Sequence, residues 1–198
     1  MLVYLLKDRH KFVIGHAQRN LRCRMADRTK IWIADKMKKL MAGTPIDKIR
    51  VTEICDLADI SKPTFYYHFK DKYDLVAWIF FYSHFNVDVL SVESASESMN
   101  QVRNDFIFYK RAFEDSSQNA LWQYMVDYFT ERYEAEARQI LDVEVLDTQT
   151  HFSISLYCHG AVGMVREWLL SDNITPAETI VRMMFASMPE PLKSSTTN

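Results

Sequence analysis

Between Asp27 and Leu75 apolar residues return at helical spacing in short bursts, each closed by residues that end a helix, and this rhythm constrains the fold more than any other feature. Ile33, Met37, Leu40 and Met41 share one face of a first predicted helix, with Lys30, Lys36, Lys38 and Lys39 on the others, until Gly43-Thr44-Pro45 stops it. After the linker from Ile46 to Val51, the residues Ile54, Leu57 and Ala58 mark a second helix about two turns long, with Thr52 able to cap it. Asp59-Ile60 then predicts a sharp turn, because the short polar side chain of Asp tolerates the left-handed conformation. Ser61 is suited to cap a third helix, from Lys62 to about Phe69, and Pro63 fits its first turn, where the missing N–H has no helical acceptor. In that helix Phe65 and Phe69 point inward at i, i+4. Asp71 caps a fourth helix, which continues through Leu75, Trp78, Ile79 and Tyr82.

The remainder reads the same way. Only four Gly and five Pro occur in 198 residues, too few for a protein built on tight β-turns, and a hydrophobic content of 48% is ample for real cores. Beyond the Ser-rich stretch from Ser91 to Ser98, helical periodicity resumes over Val102–Phe113, Leu121–Ile140, Phe152–Leu170 and Ile180–Phe185, which predicts four to six further helices. The expected class is therefore all-α, in two parts: a three-helix domain with a helix-turn-helix over 27–72, and a helical bundle over 73–190. Residues 1–26 are read either as a basic arm carrying Arg19, Arg22 and Arg24 or as a start-site extension, and 191–198 as a flexible tail.

A net charge of −2 hides an asymmetry: residues 1–72 hold 16 Lys and Arg against 8 Asp and Glu, whereas residues 73–198 hold 8 against 18. The first part suits a polyanion, and the second should face away from one. Cys23, Cys55 and Cys158 form no CxxC and suggest neither disulfides nor zinc, and His84, His151 and His159 lack metal-ligand spacing with one another. No metal and no cofactor are expected. The apolar opening is interrupted at Lys7, short of a signal-peptide core, and no later run reaches membrane-spanning length, so a soluble cytoplasmic protein without membrane contact is expected.

The third helix offers Lys62, Thr64, Tyr66, Tyr67 and His68 to a partner, a set rich in hydroxyl and N–H donors for phosphate oxygens and in aromatic faces for sugars and thymine methyls. The run Val51-Thr52-Glu53-Ile54 through Ile60-Ser61-Lys62-Pro63-Thr64-Phe65-Tyr66-Tyr67-His68-Phe69-Lys70-Asp71-Lys72-Tyr73-Asp74-Leu75 resembles the DNA-binding domain of the TetR family of bacterial regulators. Asp59 stands where that family often has Gly, and Pro63 where small residues are common; these departures bear on the operator sequence.

Carried over by position, the resemblance implies that Thr52 and Ser61 contact phosphate and that Lys62 and Thr64, with Pro63 between them in the contacting segment, approach bases. It implies further that Tyr66, Tyr67 and His68 hold the DNA backbone and that Lys72 contacts phosphate from the fourth helix. Residues Tyr73 to Trp78, Gly160 to Leu170 and Ile174-Thr175-Pro176 resemble the subgroup that includes regulators of dihydroxyacetone kinase operons. That likeness implies a homodimer closed by the last two long helices, with Gly160, Gly163, Met164 and Trp168 at the interface.

Expected partners are thus a palindromic double-stranded DNA operator, read by two third helices about 34 Å apart, and a second copy of the chain. A small-molecule effector or a protein co-regulator acts on the second domain, where Phe81, Tyr82, Phe85, Phe106, Tyr109, Phe113 and Trp122 are candidates to line a pocket. Repression released by an effector is the first expectation, and activation controlled by a protein co-regulator the alternative. Two rival classes are a helical ligand carrier that has lost DNA binding and a helical-bundle enzyme. Lys62, Tyr66, Tyr67, His68 and Lys72 count against the first; no Glu-x-x-His pair, phosphate loop or nucleophile arrangement supports the second.

Overall fold

The computed structural model describes residues 23–84, 91–115, 120–171 and 175–195, and among these no strand occurs. The chain divides into two compact units, Met1–Phe81 and Tyr82–Asn198. The predicted tail falls partly, and residues 1–22 of the predicted arm wholly, outside the described residues.

The first unit contains α1 (Cys23–Gly43), a 3-10 turn (Ile46–Lys48), α2 (Val51–Ala58), α3 (Lys62–His68) and most of α4 (Lys72–His84). Helix α1 begins earlier than the apolar spacing from Asp27 predicts, so residues 23–26 are helical rather than part of an arm. Helices α1, α2 and α3 pack on one another around Ile33, Met37, Met41, Ile54, Phe65, Phe69, Leu75 and Ile79, each with almost no solvent exposure. Burying each phenylalanine contributes about 1.5–3 kcal/mol. Phe69 adds edge contacts, with its ring centroid 5.9 Å from Phe65 and 5.7 Å from Trp78.

Three details differ from the sequence reading. Leu57 is 46% exposed, and Cys55 is buried with Ile54 and Ala58 instead. At the helical rotation per residue, positions 54, 55 and 58 form one face, and position 57 lies roughly 110° from its centre. Lys30 and Lys36 are buried rather than solvated. Their aliphatic stems cover the core and their ammonium groups sit on rings: Lys36 Nζ lies 3.3 Å from the Trp32 centroid, and Lys30 Nζ lies 5.8 Å from those of Phe69 and Trp78. Finally, Thr52 does not cap α2. Arg50 is the N-cap, and its backbone N–H donates to Glu53 Oε2 at 2.7 Å, one half of a capping box.

The second unit contains α5 (Val92–Asn104), α6 (Phe106–Glu114), α7 (Leu121–Leu141), α8 (Thr148–Leu170), α9 (Ala177–Ala186) and the short α10 (Leu192–Ser195). Helix α8 packs on α7 and α6, α9 on α5, and α10 on α7. Caps explain the ends. Asp142 takes the left-handed conformation at φ 53° to close α7, and the Asp147 carboxylate accepts the Thr150 backbone N–H at 2.9 Å to open α8. One core cluster joins Tyr133, Ala137, Ile154, Cys158, Val181, Phe185, Met188 and Leu192. Burial there pushes the Tyr133 hydroxyl well above its ordinary pKa and the Cys158 thiol up to about 11, so both stay protonated at neutral pH.

Candidate nucleic-acid interface

Helix α2 ends at Asp59, whose φ of 54° and ψ of 50° reverse the chain as predicted, with the Ile60 N–H reaching back to the Cys55 carbonyl at 3.1 Å. Two residues later Ser61 caps α3: its Oγ accepts the Thr64 backbone N–H at 3.2 Å and lies 2.8 Å from Thr64 Oγ1. Pro63 occupies the first turn, where it removes no helical hydrogen bond. Helix α3 is thus launched by a cap and held down by Phe65 and Phe69.

What remains of α3 faces solvent. Ser61, Lys62 and Pro63 are exposed, Thr64 and His68 are half-buried, and Tyr66 and Tyr67 are 55% and 83% exposed. Tyr66 stands edge-on to Phe65, and Tyr67 edge-on to His68, so each phenol is braced by its neighbour. Burial, then the positive charge of Lys30, holds the His68 imidazole below its ordinary pKa, which leaves it neutral at pH 7. The face therefore offers one ammonium, two phenols, an imidazole and two hydroxyls.

The flanking residues are placed differently. Thr52 is half-buried in the first turn of α2. Lys72 opens α4, and its Nζ donates to the carbonyls of Asp47 at 3.1 Å and Ile49 at 2.8 Å, so it ties the 3-10 turn to α4. Asp71 caps α4 as predicted, its Oδ1 accepting the N–H groups of Tyr73 and Asp74 at 2.8 Å each. The side chains of Lys48 and Arg50, which the sequence reading passed over, are about three-quarters exposed in the segment before α2. Their signal was a basic pair just before a helix start.

The residues proposed for an effector pocket do not share one kind of environment. Tyr109 and Phe113 are fully buried core residues, Tyr82 and Phe106 are exposed, Phe81 and Trp122 are half-buried, and Phe85 lies outside the described residues. A groove of about 550 Å³ lies between α5 and α9, walled by Glu93, Ser96, Glu97, Asn100, Glu178 and Arg182 among others, and none of the seven lines it. Of the four predicted interface residues on α8, Gly160, Gly163 and Met164 are exposed. Trp168, the fourth, is 6% exposed, and its Nε1–H donates to the Thr175 carbonyl at 2.9 Å within the same unit. Leu156 and Phe152, not singled out in the sequence, extend the exposed stripe one and two turns toward the start of α8.

His151 pairs with Glu134 at 2.5 Å, and His159 Nδ1 lies 2.8 Å from the Ser155 carbonyl oxygen. Among the described residues no group of three His, Cys, Asp or Glu could hold a metal ion, and no helix is long and apolar enough to cross a membrane.

Residues 33–79 match the family model described as bacterial regulatory proteins, tetR family, and residues 93–190 match the model described as transcriptional regulator C-terminal region. The chain belongs to the TetR family. It is a helix-turn-helix transcriptional regulator, and α2, the Asp59–Ile60 turn and α3 lie within the match to the DNA-binding domain. Among solved structures it is similar to the dihydroxyacetone kinase operon activator DhaS, at 20% identity and a TM-score of 0.55, over 81% of this chain and 96% of that one. It is also similar to NalD, the secondary repressor of the MexAB-OprM multidrug efflux pump in Pseudomonas aeruginosa, at 14% identity and a TM-score of 0.48, over 83% of this chain and 99% of that one. The likeness to DhaS concerns the fold. No curated protein matches the sequence.

Proposed function

We propose that this regulator binds a palindromic operator as a homodimer, reading bases with Lys62 and Thr64 and gripping the DNA backbone with Ser61, Tyr66, Tyr67 and His68. The observation that carries this is the two-sidedness of α3: its phenylalanines are sealed in the core while both tyrosines, Lys62 and the capping serine face solvent. A helix of seven residues is roughly 10 Å long, short enough to lie in a major groove. Thr52 stands in the N-terminal turn of α2, where the positive end of the helix dipole favours a phosphate oxygen. Lys72 holds the linker with its ammonium and supports phosphate binding from the start of α4.

The dimer is supported by the exposed stripe Phe152, Leu156, Gly160, Gly163 and Met164 along α8. At both glycines an added Cβ would meet nothing within 4 Å, so the helix presents a bare backbone there. Release of the operator by an effector, either a small molecule or a protein co-regulator, completes the proposal, with repression as the resting state.

The test is selection of bound duplexes from a random pool by the full chain, followed by fluorescence anisotropy on the enriched sequence. A palindromic consensus bound much more tightly than scrambled DNA, with affinity falling steeply as salt rises, is the expected result. Failure to enrich any sequence would overturn the reading in favour of a carrier that has lost DNA binding.

A further inference from the structure

Helix α2 is tethered from outside at both ends. Before its first turn, the Lys72 ammonium of α4 holds the carbonyls of Asp47 and Ile49. At its last residue, the indole N–H of Trp32 in α1 donates to the Ala58 carbonyl at 2.9 Å, across 26 residues of sequence. That carbonyl is one of the four that a helix C-terminus leaves without an internal partner. The Cys55 and Asp56 carbonyls are served by the turn itself, through the N–H groups of Ile60 and Asp59. The Ala58 carbonyl is met by Trp32.

We infer that Trp32 is a positioning residue for operator recognition: its indole N–H fixes the exit of α2, and with it the direction in which α3 leaves the turn. Three observations converge on this. Trp32 is half exposed, so its contribution to the core is modest, and its directed contact is the hydrogen bond. The Lys36 ammonium, stacked 3.3 Å from the ring centroid, draws electron density from the indole and strengthens its N–H as a donor. Only Asp59, in the left-handed conformation, and Ile60 separate the tethered residue from the Ser61 cap, so little chain remains to absorb a change of angle. On a helix roughly 10 Å long, a tilt of about 10° moves the far end by nearly 2 Å, enough to break a hydrogen bond to a base.

The inference rests on the reading of α3 as the DNA-contacting helix, and the experiment separates the two. Trp32→Phe keeps an aromatic ring for Lys36 and removes the N–H donor together with the five-membered ring. Wild type and variant, each corrected for folded fraction by circular dichroism, are titrated with the selected operator and with scrambled duplex over a range of salt. The variant is expected to lose about three- to ten-fold in operator affinity, the size of one lost hydrogen bond, with unchanged scrambled-DNA affinity and an unchanged salt slope. Amide hydrogen exchange should accelerate at residues 58–61 and not in the α1 core. Equal operator affinity for the two proteins overturns the role of Trp32 while leaving the α3 reading intact. A parallel loss on both DNAs also overturns it, since that pattern marks general destabilisation. A wild type with no preference for any operator is a failure of the DNA-binding reading itself.

Discussion

Among the surfaces of this regulator that expose large side chains, those of α3 and α8 do so with opposite chemistry. On α3 the exposed rings are tyrosines, flanked by Lys62, Thr64 and His68, so each apolar face carries a hydrogen-bonding group at its edge. On α8 the exposed hydrophobic side chains are Phe152, Leu156 and Met164, interleaved with Gly160 and Gly163, and the exposed His159 is the one hydrogen-bonding side chain between Phe152 and Met164 on that face. An amphipathic ring satisfies a wet, charged partner; a mostly hydrocarbon stripe is satisfied best by another apolar surface. Exposure alone therefore identifies neither surface. The polar atoms beside the exposed carbon are what favour the proposal that α3 meets nucleic acid and α8 a second copy of the chain.

The comparison breaks most sharply at α8. Leu156→Asp should convert the dimer to monomer by light scattering, because a pairing interface would bury an unpaired carboxylate from each copy. Operator affinity should then fall at least about 100-fold, since the second half-site contact ceases to be intramolecular. At α3, Tyr66→Ala should leave the dimer intact and weaken every operator by about ten-fold, the scale of one charge-assisted hydrogen bond. Lys62→Ala should weaken binding to a similar degree and also change which sequence is enriched.

Smaller effects sharpen the picture of α3. Because burial and Lys30 hold His68 below its ordinary pKa, the folded unit binds fewer protons there than the unfolded chain as pH falls through the mid-6 range. The unit should accordingly lose stability on acidification across the window from the ordinary histidine value down to the depressed one, and His68→Gln should flatten that part of the pH profile of Tm. A phosphate beside the ring has the opposite pull, so operator binding near pH 6.5 should take up a fraction of a proton, measurable by calorimetry in buffers of different ionisation enthalpy. The smallest change is Asp59→Gly, which relieves the left-handed backbone and should stabilise the unit by less than about 1 kcal/mol in thermal melts.

Much of the DNA-binding unit was legible in the sequence because its signals are local. The Ser61 cap, the left-handed Asp59, the Asp71 cap and the buried pair Phe65 and Phe69 each follow from residues within four positions of one another. What was illegible depends on neighbours far along the chain. Lys30 and Lys36 look like surface cations until the rings of Phe69, Trp78 and Trp32 are placed beneath them. Trp168 sits on the same helix as the exposed stripe, but its indole turns to the Thr175 carbonyl of its own unit. Trp32 carries no sequence signal for its role, since a partner 26 residues away is invisible to periodicity. In the second unit, aromatic residues at helical spacing gave no way to tell the dense packing of Tyr109 and Phe113 from a pocket wall, and the groove between α5 and α9 is walled mostly by polar side chains.

The central claim is that the solvent face of α3 reads DNA sequence, and it is tested most directly by repeating the duplex selection with Lys62→Ala beside the wild type. The account predicts that the wild type enriches one palindrome and that the variant enriches a set degenerate at symmetric positions in both half-sites. Identical consensus sequences, bound with identical affinity by the two proteins, would contradict it.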